Sequence, residues 1–159
     1  MTDLRVGSGF DAHAFEDGVP LVLGGVRIEH PRGLAGHSDG DVLAHALADA
    51  VLGAAGMEDI GAVFPSDDPG LAGADSIELL AQIWRRVSAD GWRLVNADVV
   101  LIGEAPRVAP HRDAMRGRLA GALGVEPGLV TVRATTTDGL GFTGRREGLA
   151  AQAVALLGR

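Results

Sequence analysis

The chain has 159 residues, no cysteine and a formal net charge of −7, and all 14 of its basic residues are arginine. Without cysteine it has neither disulfides nor thiolate metal ligands, and its acidic charge disfavours non-specific binding to nucleic acid or to an anionic membrane. No segment approaches the ~20 apolar residues of a membrane helix and the N-terminus lacks the apolar core of a signal peptide, so we expect one domain over residues 1–159 in the cytoplasm.

The first two elements are predicted from alternation and from turn residues. Apolar and polar residues alternate over 4–13, which predicts a strand with Asp11 and His13 on the same face. Two short apolar runs separated by Gly24-Gly25 predict a hairpin over 21–28, because paired glycines are typical of two-residue turns.

A helix is predicted next. It follows the segment 36–41 and runs to about Ala55, because Gly56 is a typical residue just beyond a helix C-terminus. Ser38 and Asp41 are spaced as in a capping box, with Asp in place of the usual Glu, so we expect them to begin this helix.

The rest of the chain also interleaves helices and strands. We expect a loop over 58–74, helices over 76–90, 110–123 and 147–157, and strands over 96–102 and 129–137. The strand over 96–102 is apolar at nearly every position and is therefore expected to be buried on both faces. Interleaved strands and helices in one core indicate an α/β or α+β fold.

The first candidate site combines the strand end with the helix. Asp11 and His13 lie two residues apart on one strand face, and His45 comes from the helix that follows. Two imidazoles and a carboxylate are the ligand composition of a catalytic zinc site. Asp41 and Asp49 lie one helical turn before and after His45, so either could orient its ring as a second-shell partner. The alternative is a buried His45 paired with Asp49 and no metal.

Three further segments could contact an anionic ligand. His37 and Ser38 lie at a helix start, where free N–H groups suit a phosphate, although ordinary capping explains them equally well. The glycine- and threonine-rich segment 134–145 ends with Arg145, which could pair with phosphate oxygens, or the segment could be a simple turn. The segment 103–107 could line a pocket or serve only as a strand-to-helix loop.

Taken together, these segments resemble the family of 2-C-methyl-D-erythritol 2,4-cyclodiphosphate synthases of non-mevalonate isoprenoid biosynthesis. The resemblance covers essentially the whole chain and depends on several motifs in the same order. They are residues 5–13, 36–49, 59–61, 64–65, 104–107, 134–145 and 147–148.

The resemblance implies a cyclisation. The 2-phosphate of 4-diphosphocytidyl-2-C-methyl-D-erythritol 2-phosphate attacks the β-phosphorus of the same molecule, CMP leaves, and a cyclic diphosphate forms. Zn²⁺ or another divalent metal would be bound by Asp11, His13 and His45, and Mg²⁺ or Mn²⁺ would bridge the diphosphate with Asp138 as a ligand. His37 and Thr136 match positions that stabilise the transition state.

The remaining site residues implied by the resemblance contact the substrate. They fall into a methylerythritol phosphate group and a cytidine diphosphate group. The first group is Ser38, Asp59, Ile60, Gly61, Phe64, Phe142 and Arg145. The second group is Gly103, Pro106, Arg107, Ala134 and Thr135.

The resemblance also implies a homotrimer with active sites between subunits. Its fold would be a mixed sheet with helices packed on one face and with the sheets lining the trimer interior, where an isoprenoid diphosphate could bind. The chain departs from the family pattern at Asp138, where Glu is usual, at Arg107, where Lys is common, at Gly103, where Ala is common, and at Arg146, where relatives often have a smaller residue.

Other functions remain open from the residues alone. A zinc phosphohydrolase acting on a nucleotide-linked substrate would use the same ligands, and a non-catalytic module would bind zinc or CMP without turnover. A bifunctional protein that also carries the preceding cytidylyltransferase would need a longer chain than this one.

Overall fold

The computed structural model describes residues 3–159, whose centre is a mixed β-sheet with helices packed on one face. Within that range the strands are β1 (Leu4–Asp17), β2 (Leu21–Leu23), β3 (Val26–Ile28), β4 (Arg32–Leu34), β5 (Arg93–Ile102), β6 (Val130–Thr135) and β7 (Gly148–Gly158). The α-helices of the same range are α1 (Val42–Ala55), α2 (Ile60–Val63), α3 (Ser76–Ala89), α4 (Arg112–Ala122) and α5 (Gly141–Gly144).

The main sheet has the strand order β4-β1-β7-β5-β6 in the described part of the chain, and β2 and β3 form a separate hairpin. β5 and β6 pair in parallel, whereas the other neighbours in the main sheet are antiparallel. The mixed α/β class predicted from the sequence is therefore confirmed.

The predicted glycine turns of the first half of the chain are confirmed, whereas the predicted start of α1 is not. Gly24 and Gly25 have φ angles of 57° and 72°, the left-handed conformation that a tight hairpin turn needs. Gly56 ends α1 with φ 73°, and its N–H bonds to carbonyls of the last helical turn. The predicted capping box is wrong, because Asp41 itself is the N-cap and accepts from the N–H of Ala44.

Helix α1 lies directly on β1, and this close approach requires glycine in the strand. A Cβ atom at Gly7 would collide with the backbone of Ala50 and Ala54, and one at Gly9 would collide with the carbonyl of Ala46. The two glycines therefore allow the helix backbone to touch the strand, which places His45 above the strand that carries the other candidate ligands.

The predicted C-terminal helix over 147–157 is wrong, because these residues form β7, the central strand of the main sheet. Alanine-rich sequence favours helix by intrinsic propensity. Burial nevertheless alternates, with Ala151, Ala153 and Ala155 buried and Gln152 and Val154 exposed. Hydrogen bonds to β1 on one side and β5 on the other outweigh the local preference, and the small alanines leave room for α1.

Two smaller expectations also differ from the structure. Strand β5 is buried on one face only, because Ala97, Val99 and Leu101 are buried while the side chains between them are partly exposed. The predicted loop over 58–74 contains the short helix α2 and a 3₁₀ turn at Pro69–Leu71.

The sheet face opposite the helices carries exposed apolar side chains. Leu4, Val6, Phe10 and Val154 are 41% to 69% exposed on this face. Val154 lies opposite Ser8 in the β1–β7 register, between Val6 and Phe10, so these apolar side chains lie near one another on the sheet. None of the helices within residues 3–159 has the length and hydropathy needed to span a membrane.

Candidate metal centre and flanking cavities

The three predicted metal ligands converge at one point between β1 and α1. Asp11 Oδ2 lies 2.9 Å from His13 Nε2 and 3.0 Å from His45 Nδ1. The strand places Asp11 and His13 on the face that contacts α1, and the glycine contacts bring His45 to the same face. One donor atom from each residue lies within 4.8 Å of the other two, so the cluster could hold a metal ion.

The electrostatics of the cluster keep Asp11 ionised. Burial raises the pKa of Asp11, but hydrogen bonds and charge from His13 and His45 outweigh burial and hold it at about 2. The hydrogen bond to Asp11 also raises the pKa of His13. The carboxylate is therefore ionised at neutral pH and available to a cation. One oxygen and two nitrogen donors suit Zn²⁺ and similar divalent ions.

The side of His45 that faces away from Asp11 contacts residues that the sequence analysis did not identify. His45 Nε2 lies 2.8 Å from Ser76 Oγ and 3.2 Å from Ser38 Oγ, and Ser76 in turn bonds to Asp39. Ser76 is 31 residues from His45 and begins α3, so its sequence context indicates only a helix start.

Asp49, the predicted second-shell partner of His45, is hydrogen-bonded elsewhere. Its Oδ1 accepts from the N–H of Ile60 at 2.8 Å and so anchors the start of α2. Burial raises its pKa, partly offset by this bond, while Asp59, Asp11 and His45 act on it through space. Asp49 therefore connects α1 to the loop that forms the neighbouring cavity.

A first cavity of about 200 Å³ opens beside the metal ligands. Its walls contain many of the residues predicted for catalysis and for the methylerythritol phosphate part. They are His13, His37, Ser38, His45, Ile60, Gly61, Phe64, Pro65, Ser66, Leu71 and Leu79. Asp59, predicted as a substrate contact, caps α2 by accepting from the N–H of Ala62 at 2.9 Å. His37 Nε2 donates to the carbonyl of Asp68 at 2.8 Å, which ties this imidazole to the loop.

A second cavity of about 550 Å³ lies at the ends of β5 and β6. Its walls contain the residues predicted for the cytidine diphosphate part, and Arg112 adds a cation that the sequence analysis missed. They are Gly103, Glu104, Pro106, Arg107, Val108, Ala109, Arg112, Ala134, Thr135 and Thr136. Arg112 stands at the start of α4, where an arginine resembles any solvated helix residue, so its sequence carries no signal for the site.

The loop after β6 has a constrained backbone. Asp138 adopts a left-handed φ of 54°, and its Oδ1 accepts from Thr136 Oγ1 at 3.1 Å. Glu104 Oε1 accepts from the N–H of Gly139 at 3.2 Å. These bonds connect the predicted second-metal ligand to the predicted catalytic threonine and to the rim of the second cavity.

Two residues predicted to contact the substrate, Phe142 and Arg145, line neither of the two cavities. Arg145 forms an exposed ion pair with Glu147 at 3.2 Å. Phe142 is 40% exposed and lines a separate cleft of about 250 Å³ together with Glu147 and with His13, which also lines the first cavity. Arg146 has a left-handed φ of 60°, and its carbonyl accepts from Arg32 Nη2 at 3.1 Å.

The predicted site residues therefore form separate groups within one protomer. The cavity beside the metal ligands and the cavity at the ends of β5 and β6 share no lining residue. Metal ligands, His37 and Ser38 belong to the first group, whereas Arg107 and Thr136 belong to the second.

Comparisons with known proteins show the family of the chain. A sequence profile of the YgbB family matches residues 4–158. A protein of Moorella thermoacetica named 2-C-methyl-D-erythritol 2,4-cyclodiphosphate synthase is 57% identical over 154 residues, which is 97% of this chain and 94% of that protein. The family resemblance inferred from the motifs is thus confirmed.

Solved structures share the fold. The bifunctional IspDF from Campylobacter jejuni superposes with a TM-score of 0.95 at 42% identity, covering 99% of this chain and 43% of that one. The CDP-bound form of a 2C-methyl-D-erythritol-2,4-cyclodiphosphate synthase superposes with a TM-score of 0.87 at 38% identity, covering 96% of this chain and 99% of that one.

Proposed function

The chain belongs to the YgbB family, and we propose that it makes 2-C-methyl-D-erythritol 2,4-cyclodiphosphate and CMP from 4-diphosphocytidyl-2-C-methyl-D-erythritol 2-phosphate. The observation that carries this proposal is the convergence of Asp11, His13 and His45 beside a cavity lined by His37 and Ser38. The reaction is that of a cyclising lyase in isoprenoid precursor biosynthesis. Relatives that bear the synthase's name at 57% identity support the same activity.

The chemistry joins two groups of one substrate, so positioning and charge neutralisation supply most of the rate. A divalent metal at Asp11, His13 and His45, which we propose is Zn²⁺, would act as a Lewis acid on the attacked phosphoryl group. His37 donates through Nε2 to the Asp68 carbonyl, which leaves Nδ1 as the atom for the substrate. Ser38 and the α2 residues Ile60 and Gly61 would hold the methylerythritol phosphate part.

The second cavity would bind the leaving group. Arg107 and Arg112 supply positive charge for the phosphates of the cytidine diphosphate part, and Thr135 and Thr136 supply hydroxyl donors. Asp138 would hold a Mg²⁺ or Mn²⁺ ion, which would supply positive charge against the departing CMP. Its carboxylate is one methylene shorter than the glutamate usual in the family, and its bond to Thr136 keeps it near the reacting groups.

The two groups would form one active site in a homotrimer, with the metal-side group from one subunit and the cytidine-side group from the next. Two observations support this assembly. The two cavities share no residue within the protomer. The sheet face opposite the helices exposes Leu4, Val6 and Phe10, which an assembly would bury.

Phosphorus NMR of the protein with the diphosphocytidyl substrate and Mg²⁺ tests the reaction. We expect CMP and a cyclic diphosphate, and we expect both to disappear when a chelator removes the tightly bound metal and to return when Zn²⁺ is added. CMP with only open-chain phosphates would instead identify a zinc phosphohydrolase. Binding of CMP without turnover would identify a non-catalytic module.

Mixing two inactive variants tests the shared site. His45→Ala disables the metal side and Thr136→Ala disables the cytidine side, so each homogeneous trimer should be inactive. Random 1:1 co-assembly should restore about one quarter of the sites, because each intact site needs one subunit of each kind in the right order. The double variant co-assembled with itself is the matched control. If both groups belonged to one subunit, mixing would restore nothing.

A further inference from the structure

The side of the His45 ring that faces away from Asp11 is hydrogen-bonded to Ser76, which is hydrogen-bonded in turn to Asp39. Ser76 Oγ lies 2.8 Å from His45 Nε2, and it donates to Asp39 Oδ1 at 2.5 Å. Ser76 is 1% exposed, so water does not compete for these bonds. Ser38 Oγ, at 3.2 Å from the same nitrogen, is the longer of the two hydroxyl contacts.

The direction of each bond in this chain follows from Asp39. Its carboxylate has only acceptor capacity, and it accepts from the backbone N–H groups of Ser76 and Asp41, each at 3.1 Å, as well as from the Ser76 hydroxyl. The hydroxyl hydrogen of Ser76 is thereby committed to Asp39. The Ser76 oxygen is then left to accept, so the proton of the contact with His45 belongs to Nε2.

The opposite nitrogen of His45 is the one that faces the cluster. Nδ1 lies 3.0 Å from Asp11 Oδ2, to which it donates in the absence of a metal because an ionised carboxylate only accepts. A bound metal would take the place of this Nδ1 proton and leave the Nε2 proton in its contact with Ser76. A histidine that carries its proton on Nε2 presents the Nδ1 lone pair to a metal, and metal-bound histidines usually donate their other N–H to such a partner.

We propose that Asp39 and Ser76 are positioning residues for the metal centre, which orient His45 and keep its proton on Nε2 so that Nδ1 binds the metal. This proposal depends on the metal site of the proposed function. Among the hydrogen bonds of residues 3–159, Ser76 reaches the ligands at His45 and Asp39 reaches His45 through Ser76, while the charge of Asp39 also acts on His13 through space. Their effect should therefore appear in metal affinity before it appears in any chemical step.

The test is zinc titration of metal-depleted protein in competition with a chromophoric chelator. We expect Ser76→Ala to weaken zinc binding about 10- to 100-fold, the usual loss for an outer-shell partner. Ser76→Thr keeps the hydroxyl and should retain most of the affinity. Asp39→Asn should also weaken zinc binding. The NH₂ group of asparagine would have to face one of the N–H or O–H donors from which the Asp39 carboxylate now accepts, and two donors cannot bond to each other.

Asp75→Ala is the matched control for damage to α3. Asp75 is the N-cap of this helix and accepts from the N–H of Ile77 at 2.9 Å. Its loss should lower thermal stability and leave zinc affinity unchanged. Equal zinc affinity in wild type, Ser76→Ala and Asp39→Asn would overturn the positioning role while leaving the metal site intact. A wild type that binds no zinc would overturn the metal site itself.

Nitrogen NMR of zinc-loaded protein with isotope-labelled histidine gives a second readout. We expect His45 to coordinate through Nδ1 and to show an Nε2–H proton that exchanges slowly with water, and we expect faster exchange in Ser76→Ala. Coordination through Nε2 would overturn the proposal, because that nitrogen could not then donate to Ser76.

Discussion

The contact between α1 and β1 makes Gly9→Ala a direct test of how the fold positions the metal centre. A Cβ at residue 9 would overlap the carbonyl oxygen of Ala46 and would also lie 2.9 Å from the carbonyl carbon of Ala46 and from the nitrogen of Ala50. These are backbone atoms, so no side-chain rotation relieves the contact. The overlap with the Ala46 oxygen is closer than either 2.9 Å contact, so the helix must withdraw by more than roughly 1 Å to restore ordinary contacts of about 3.5 Å.

The energetic cost follows from that displacement. Overpacking of a tight contact costs about 1–3 kcal/mol, and each kcal/mol lowers Tm by about 2–4 °C in a domain of this size. We therefore expect Tm to fall by about 2–12 °C. Ala46 follows His45 directly, and functional constellations tolerate only about 0.5 Å of misplacement, so zinc affinity should fall as well.

Calorimetry and chelator competition on the same samples measure both effects. Gly53→Ala is the matched control, because a Cβ there would lie 3.9 Å from Gly7 and Ser8. At that helical position alanine should raise stability by about 0.5–1 kcal/mol and leave zinc binding unchanged. A Gly9→Ala protein with wild-type Tm would refute the packing argument, and one that is destabilised but binds zinc normally would refute its link to the site.

Three further changes test separate features. Arg146→Gly should stabilise the protein by about 1 kcal/mol in urea unfolding, because Arg146 has φ 60° and a left-handed backbone is costly for a residue with a side chain. A lower free energy of unfolding in the variant would refute the idea that Arg146 is strained. Burial raises the pKa of Asp41 from 3.8 to about 6, so the folded state binds a proton at Asp41 more tightly than the unfolded chain does. The contribution of Asp41 to the free energy of unfolding should therefore fall by roughly 2–3 kcal/mol as the pH rises from 4 to 6. The difference between wild type and Asp41→Asn in urea unfolding at each pH should show that slope, and a flat difference would contradict it. Arg107→Ala should weaken CMP binding about tenfold in calorimetric titration, as expected for one charge-assisted bond of ~1.5 kcal/mol, whereas unchanged binding would remove Arg107 from the cytidine pocket.

The elements that the sequence predicts well are those with a local cause. The strand β1 follows from two-residue alternation, and the C-terminal end of α1 follows from Gly56, whose φ of 73° suits glycine. The metal cluster also follows, because two ligands on one strand face and one on the next helix need few assumptions to meet.

β7 could not be predicted because its cause is not local. Its alanines at 151, 153 and 155 favour helix in isolation, and the alternation that would indicate a strand is weak, since Gln152 is polar but Val154 is apolar. Val154 is exposed in the protomer, on the face that we assign to the trimer. A position that an assembly covers can be apolar although it is exposed in the protomer. The alternation of apolar and polar residues that identifies a strand is then lost from the sequence.

The sequence does not predict the roles of Ser76 and Asp39 at His45, and the reason is again that the cause is not local. A metal ligand is recognisable from residue type and spacing, but the group that orients it needs only one hydroxyl or carbonyl at the right distance. Ser76 supplies that hydroxyl from the first residue of α3, 31 positions away. Asp39 lies within the segment 36–41, whose sequence predicts only a helix start. The ligands of such a site can therefore be inferred from the sequence, whereas the tautomer of His45 depends on how α1 and α3 are packed together.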